Sequence, residues 1–326
     1  MRQDAESSAR GFRALRAVPP LLLLAVLAVL PLFPLGPNTV KLLFLTCVWI
    51  AASVGWNILG GFAGQVSFGF AVFFGLGAYT TAVAINQGLN PYLTYPLAAA
   101  IAAFSSLLIG LPTFRLRGPY FAIATIGVSE AVRVVMTNID FTGGSSGYRI
   151  TEHGPFRQQE HYFTALALAA IAVAISILVR HSRFGLGLRA IHDDQDAAAD
   201  SGVNPFTSKL AAHAIAAALT GAAGGVFARY AAFIDPEGVF GFHRSVGILL
   251  MPVIGGVNTI WGPVIGGGVY GVIEEELVAK FPQFHLLLYG GLVMLIILFE
   301  PGGVMGLFDR ARRFLLRRRL ASWQSS

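Results

Sequence analysis

Apolar residues run through this chain in long continuous blocks separated by short polar breaks. Ten blocks can be marked, at about 18–35, 41–59, 65–86, 95–114, 118–137, 162–180, 209–230, 245–257, 262–279 and 284–300. Most approach the ~20 residues that carry a helix across about 30 Å of hydrocarbon. Runs of that kind, rather than alternation over about ten residues, exclude an outer-membrane barrel. The pattern predicts an all-α membrane protein, a polytopic helical bundle of about ten spans, or eight if two blocks do not cross. The block at 245–257 is too short for a straight crossing. It is expected to be broken or re-entrant, or to begin earlier, near Val239.

Two polar inserts stand out. Residues 182–204, SRFGLGLRAIHDDQDAAADSGVN, are the longest polar stretch with helical potential. Leu186, Leu188, Ala190, Ile191 and Ala197 to Ala199 fall on one helical stripe, Asp193, Asp194, Asp196 and Asp200 supply the polar positions, and Gly202 and Pro205 end the helix. Residues 138–161 contain TGGSSG at 142–147, a flexible hydrogen-bonding loop. His153, His161, Glu152 and Glu160 in that insert read as solvated residues rather than metal ligands.

Composition agrees with the blocks. Hydrophobic residues make up 55% and charged residues 12% of the chain, against roughly 25% charged in a soluble domain. Mean hydropathy is +0.66. A formal charge of +6 would suit nucleic acid, but the cations gather at block ends, where they set topology, so the expected partner is membrane lipid and no nucleic acid. With the N-terminus inside and alternating crossings, sixteen Lys and Arg fall inside, among them Arg115, Arg117, Arg180, Arg183, Arg189, Lys209 and the tail arginines. Six fall outside: Lys41, Arg149, Arg157, Arg229, Arg244 and Lys280. Both termini are then cytoplasmic. The block at 18–35, preceded by Arg10, Arg13 and Arg16, reads as an uncleaved first span, and Cys47 as a small buried hydrophobe.

Candidate chemistry is sparse. The chain holds no phosphate-binding G-x-x-x-x-G-K-[ST] run, no zinc-spaced Cys/His cluster and no G-x-S-x-G elbow, so no cofactor or catalytic residue is assigned. Glu130 and Arg133 share a helix face within a span. They line a polar pathway or form a self-neutralising pair. Glu274 to Glu276 mark a water interface or an outer vestibule. Residues 60–79, GGFAGQVSFGFAVFFGLGAY, read as tight helix packing or as part of a solute path in which Gln65 and Ser67 offer hydrogen bonds and Phe73 and Phe74 an apolar wall. Gly60-Gly61 followed by Gly69 and Gly75 is echoed by Gly255-Gly256 followed by Gly262 and Gly268, a candidate parallel repeat.

A family resemblance emerges from these runs together. NILGGFAGQVSFGFAVFFGLGAY, RGPYFAIATIGVSEAVR, TGGSSG, the 182–204 insert, LTGAAGGVFA, PVIGGVNTIWGPVIGG and FEPGGVMGLF, in this order from about residue 40 to 308, resemble the M-type permease of bacterial branched-chain amino acid ABC importers. The resemblance implies a transporter subunit of the inner membrane rather than an enzyme, with a membrane permease domain at 18–308 between a cytoplasmic tail at 1–17 and a basic cytoplasmic tail at 309–326. It implies a second, homologous permease subunit, two cytoplasmic ATPase subunits, and a periplasmic or lipid-anchored solute-binding protein. The solute would be a branched-chain amino acid, or in related permeases urea, short amides or other amino acids. The insert would couple to the ATPase through Phe184, Gly185, Arg189, Ala190, Ile191, His192, Asp193, Asp194, Ala199 and Gly202. Path candidates are Gln65, Ser67, Phe73, Tyr120, Thr125, Glu130, Thr142, Gly143 and Gly144. Where the family reads close to RAIREN this chain reads RAIHDD, which points to an ATPase with a different, more basic docking surface. An ion-coupled carrier is the rival; it usually needs intramembrane acids, of which Glu130 is the one central candidate, beside Arg133. An intramembrane enzyme is opposed by the absent motifs.

Overall fold

The computed structural model describes residues 36–151 and 156–280, positions 284, 287, 290, 291 and 294, and residues 302–306, with the backbone alone at 272 and 274–280. The expected first span, most of the last block, both tails and the Glu274–276 side chains lie outside the described residues. Helix α1 is Pro37–Asn57, continued by a π-turn at Ile58–Phe62. Then come α2 (Phe70–Asn86), α3 (Pro91–Thr113), α4 (Pro119–Asn138) and α5 (Gln158–His181). The insert forms α6 (Arg183–Asp193) and α7 (Gln195–Asp200). Helices α8 (Pro205–Ala231), α9 (Pro236–Phe240), α10 (Phe242–Gly255) and α11 (Trp261–Lys280) complete the described bundle. Six segments among the described residues are long and apolar enough to cross a membrane, and α2 is a shorter apolar helix.

Proline punctuates these starts. Pro37, Pro91, Pro119, Pro205 and Pro236 each open a helix, where the missing N–H costs nothing and φ is already helical. Helix α1 is apolar on all sides and buried over most of its length, as a central helix should be. It packs against α5, α8 and α11. Helix α8 packs against α2 and α3. Helices α3 and α4 are peripheral and leave most of their surface outward.

Small residues set the closest crossings. A Cβ on Gly77 of α2 would lie 1.9 Å from the Gly221 carbonyl of α8, and one on Gly224 would lie 1.9 Å from the Phe74 carbonyl. Backbones in such contact gain dispersion energy that lipid cannot match, since the tails are as apolar as leucine. The second glycine group does the same between α10 and α11, where a Cβ on Gly266 would lie 1.7 Å from the Met251 carbonyl. The two glycine pairs of the sequence echo therefore lie at the ends of helices that pack side by side, α1 and α10.

The short block at 245–257 is resolved into a broken unit. It begins at Pro236, bends at Gly241 and continues as α10. The expected span at 65–86 also starts later: residues 64–69 are not helical. The bundle has two ends. One carries the 182–204 insert, the α3–α4 turn and the 256–260 loop. The other carries the 138–151 loop and the starts of α1, α3 and α5. At that end the Glu160 carboxylate accepts from Arg229 at 2.9 Å and from the Tyr92 hydroxyl at 2.7 Å. Glu160 and His161 are thus not solvated loop residues. They open α5, and His161 is buried with its ring stacked on Phe156.

Candidate coupling segment and membrane path

The insert folds as two helices rather than one. Ser182 caps α6, its Oγ accepting from the Gly185 N–H at 3.1 Å. A Cβ on Gly185 would lie 2.0 Å from the Val179 carbonyl, so glycine is what allows α6 to turn tightly against the end of α5. Asp194 is extended (φ −156°, ψ 116°) and caps α7, accepting from the N–H groups of Asp196 at 2.9 Å and Ala197 at 3.0 Å. The acidic departure from RAIREN thus includes a helix break that the stripe pattern did not reveal. Gly202, at φ +87°, ends α7, and Asn204 caps α8 through the Thr207 N–H at 3.2 Å.

The expected apolar stripe divides. Gly185, Leu188, Ile191 and Ala198 are buried against the bundle, and Phe184 is half-buried against its core. Leu186 is 58% exposed, and His192, Asp193, Asp194, Ala199 and Gly202 face outward. Arg189 and Ala190 are half-buried at the boundary. Lys209, buried in α8, donates to the Gln195 side chain and pins α7. The Arg117–Asp196 ion pair at 3.2 Å is exposed on both sides and adds little.

Residues 64–69 leave backbone groups without helical partners, and neighbouring spans supply them. The Trp56 indole N–H donates to the Ser67 carbonyl at 2.8 Å. The Phe68 N–H donates to Thr125 Oγ1 at 3.1 Å, and the Gly69 N–H to Ser67 Oγ at 3.2 Å. The Ala71 N–H, in the first turn of α2, donates to Ser245 Oγ at 2.8 Å. Thr125 lies six residues, about 9 Å, into α4, so this break sits inside the bundle. Irregular backbone at such depth persists only where protein or a water-filled path satisfies it. Ser67 and Thr125 are therefore structural acceptors at the break, while Gln65 is half-buried beside it. Gly64 has φ +70°, and a Cβ there would lie 3.0 Å from His192 Nδ1. The insert and the 64–69 break, separate in sequence, lie side by side here.

The other path candidates are spread apart. Phe73 is buried 4.9 Å, ring to ring, from His213, in a packed aromatic cluster. Tyr120 is 73% exposed at the start of α4. Glu130 pairs with Arg133, which also reaches Glu237 of α9 at 2.6 Å, a third member that sequence spacing could not supply. Gly143 (φ +81°) and Gly144 (φ +52°) shape the 142–147 turn, with Thr142 buried beneath it. The expected flexible loop is in fact tied down. Tyr148 and Arg149 pair with Ile234 and Phe233, forming strands β1 (Tyr148–Arg149) and β2 (Phe233–Ile234). The Asn86 side chain donates to the Arg149 carbonyl and accepts from the Thr151 N–H, each at 2.8 Å. Thr142 also borders a cleft of about 310 Å³ between α2, α3 and α4.

Comparison with known proteins decides the family. The family profile described as branched-chain amino acid transport system / permease component matches residues 38–298. The chain belongs to this permease family. Among its relatives is the high-affinity branched-chain amino acid transport system permease protein LivM of Escherichia coli strain K12, 31% identical over 299 residues, 82% of this chain and 70% of that one. LivM of Salmonella typhimurium is 30% identical over the same shares. LivH of Salmonella typhimurium is 29% identical over 135 residues, 41% of this chain and 43% of that one. No solved structure matches. The family match spans α1 to α11, so the 64–69 break and the insert both belong to the permease unit.

Sequence reading missed one cation of this permease. Arg244, counted among external loop charges, lies inside the bundle. Its guanidinium is 4.8 Å from the Trp49 ring centre and 5.6 and 5.5 Å from Phe74 and Phe227, and it donates twice to the Gly238 carbonyl. Charge–quadrupole attraction to three rings offsets part of its desolvation. The bond to Gly238 spans the bend at Gly241. An Arg three residues after a glycine bend was the available signal.

Proposed function

We propose that this permease is a membrane subunit of an ATP-binding-cassette importer that moves branched-chain amino acids across the bacterial inner membrane. The relatives named LivM and LivH both match, which supports pairing with a second, homologous permease subunit. Two cytoplasmic ATPase subunits energise the complex, the insert is this chain's contact with the ATPase, and a periplasmic or lipid-anchored binding protein delivers solute at the opposite end. The chain crosses ten times with both termini in the cytoplasm, and the insert end faces the ATPases. The observation that carries this reading is the insert itself. Part of its apolar stripe, Gly185, Leu188, Ile191 and Ala198, is buried on the bundle, it keeps Leu186 and an acidic edge outward, and His192 lies beside the break at Gly64. ATP closure of the ATPase pair shifts the insert, and differential binding of ATP and of loaded binding protein to the two states drives alternating access. Gln65, Ser67, Thr125 and Glu130 border the path.

Radiolabelled leucine, isoleucine and valine uptake tests this in cells lacking the chain and in cells supplied with it. The expected result is uptake restored by the chain and competed by the three amino acids but not by urea, with ATPase subunits co-purifying. Uptake unaffected by the chain, or a purified permease without ATPase subunits, would overturn the reading.

A further inference from the structure

Asn57 is wholly buried at the end of α1, and both polar atoms of its amide are engaged by one loop. Its Nδ2 donates to the Thr259 carbonyl at 2.8 Å, and its Oδ1 accepts from the Asn258 N–H at 3.1 Å. Thr259 Oγ1 in turn donates to the Gly256 carbonyl at 2.7 Å and accepts from the Gly262 N–H at 2.8 Å, closing the loop between α10 and α11. Gly61 makes room for the knot, since a Cβ there would fall 2.1 Å from Asn57 Oδ1 and 2.9 Å from the Asn258 nitrogen. Asn258 holds a left-handed conformation, φ +61°. Its carbonyl accepts from the Arg180 guanidinium, which also lies 5.4 Å from the centre of the Phe62 ring. Arg180 stands two residues before Ser182, where the insert begins.

The insert and the last turn of α5 that leads into it therefore lie against two loops of the bundle. His192 of the insert lies close enough to Gly64 in the 64–69 break that a Cβ there would crowd it, and Arg180, in the last turn of α5, donates to the Asn258 carbonyl in the 256–260 loop. Asn57 ties α1, which leads into the first loop, to the second. A two-site attachment has a mechanical consequence. A shift of the insert cannot displace one loop alone without breaking buried hydrogen bonds, and leaving such groups unmatched is costly. Both loops head helices, α2 and α11, that run back through the bundle.

We propose that Arg180 and Asn57 form a transmission joint through which the insert moves the 64–69 and 256–260 loops as one unit. Arg180 is a positioning residue here: it contacts no nucleotide and acts through Asn258. The inference rests on the importer reading above. Lysine would keep the charge at 180 but lose the planar fork that reaches the Asn258 carbonyl while lying over Phe62.

The test uses the purified complex of both permeases and both ATPases in proteoliposomes, with the binding protein and branched-chain amino acids added. ATP hydrolysed and amino acid imported are measured together. In Arg180→Lys and, separately, Asn57→Ala complexes, ATPase subunits should stay bound at the unaltered ratio. Basal hydrolysis should persist while amino acid imported per ATP falls at least tenfold. His192→Asn should lower the same ratio by a smaller factor. An unchanged import-to-hydrolysis ratio in Arg180→Lys, or a loss of import matched by equal loss of hydrolysis and of complex yield in both Arg180→Lys and Asn57→Ala, overturns the joint. Absence of ATPase subunits from the unaltered preparation overturns the importer reading, and the joint with it.

Discussion

The indole N–H of Trp56, near the end of α1, donates to the carbonyl of Ser67 in the 64–69 break that leads into α2. The ring lies flat because its neighbour one turn on is glycine: a Cβ on Gly60 would fall 2.4 Å from it. One side chain from α1 thus fills the space below the break and satisfies its backbone.

Replacing Trp56 by Phe keeps most of the packing and leaves the buried Ser67 carbonyl without that donor. The expected cost is about 1–3 kcal/mol, the penalty for a buried unmatched polar group. Thermal unfolding of the detergent-purified permease should show a lower midpoint for Trp56→Phe. Thr125→Val should behave alike, because it orphans the Phe68 N–H. An unshifted midpoint in both would mean that water or another group already serves the break.

The docking face makes a different prediction. Arg189 and Ala190 are half-buried on the insert, at the boundary between its bundle-facing and outward sides. Glutamates at both positions would add negative charge beside Asp193 and Asp194 on the insert, outside the spans themselves. ATPase subunits should then fail to co-purify and uptake should drop at least tenfold, while permease yield stays near that of the unaltered protein. Full ATPase recovery with normal uptake would remove the insert from the coupling role.

Much of this architecture was legible in the residues, and the misses have physical causes. Long apolar runs marked the helices and placed several starts within a few residues, while the prolines that open those helices were not used as start signals. The breaks were harder to see. Residues 64–69, GQVSFG, run on into the apolar block of α2, and partners on other elements, Trp56, Thr125 and Ser245, make the irregular backbone here tolerable. Hydropathy does not register partners that lie far apart in sequence. The same limit hid the joining of Glu237 to Arg133 and the seating of Arg244 among three rings. Asp194 was visible as an acid but not as a cap, because it interrupts a stripe that otherwise reads as one helix.

Glycine packing can be tested with its own control. A methyl group on Gly77 would strike the Gly221 carbonyl, a backbone atom that cannot rotate away. Gly127, in the outward-facing α4, has nothing within 4 Å of a built Cβ. Gly77→Ala should lose most of its folded yield, whereas Gly127→Ala should be neutral or slightly stabilising, since alanine is the better helix former by about 1 kcal/mol. The comparison is read by monodispersity in size-exclusion chromatography. Equal behaviour of the two variants would contradict the close approach of α2 and α8.

Orientation follows from charge, and two exposed serines at opposite ends of the bundle can read it. Ser145 lies in the 142–147 turn and Ser201 just beyond α7. The native Cys47 is fully buried in α1, so it should contribute little background to thiol labelling. A membrane-impermeant maleimide applied to spheroplasts should label Ser145→Cys at once. It should label Ser201→Cys only after the membrane is opened. The positive-inside asymmetry requires this order, because Arg117, Arg180, Arg183, Arg189 and Lys209 all gather at the Ser201 end. Labelling of both positions from the same side would invert or collapse the topology, and with it the placement of the insert toward the ATPases.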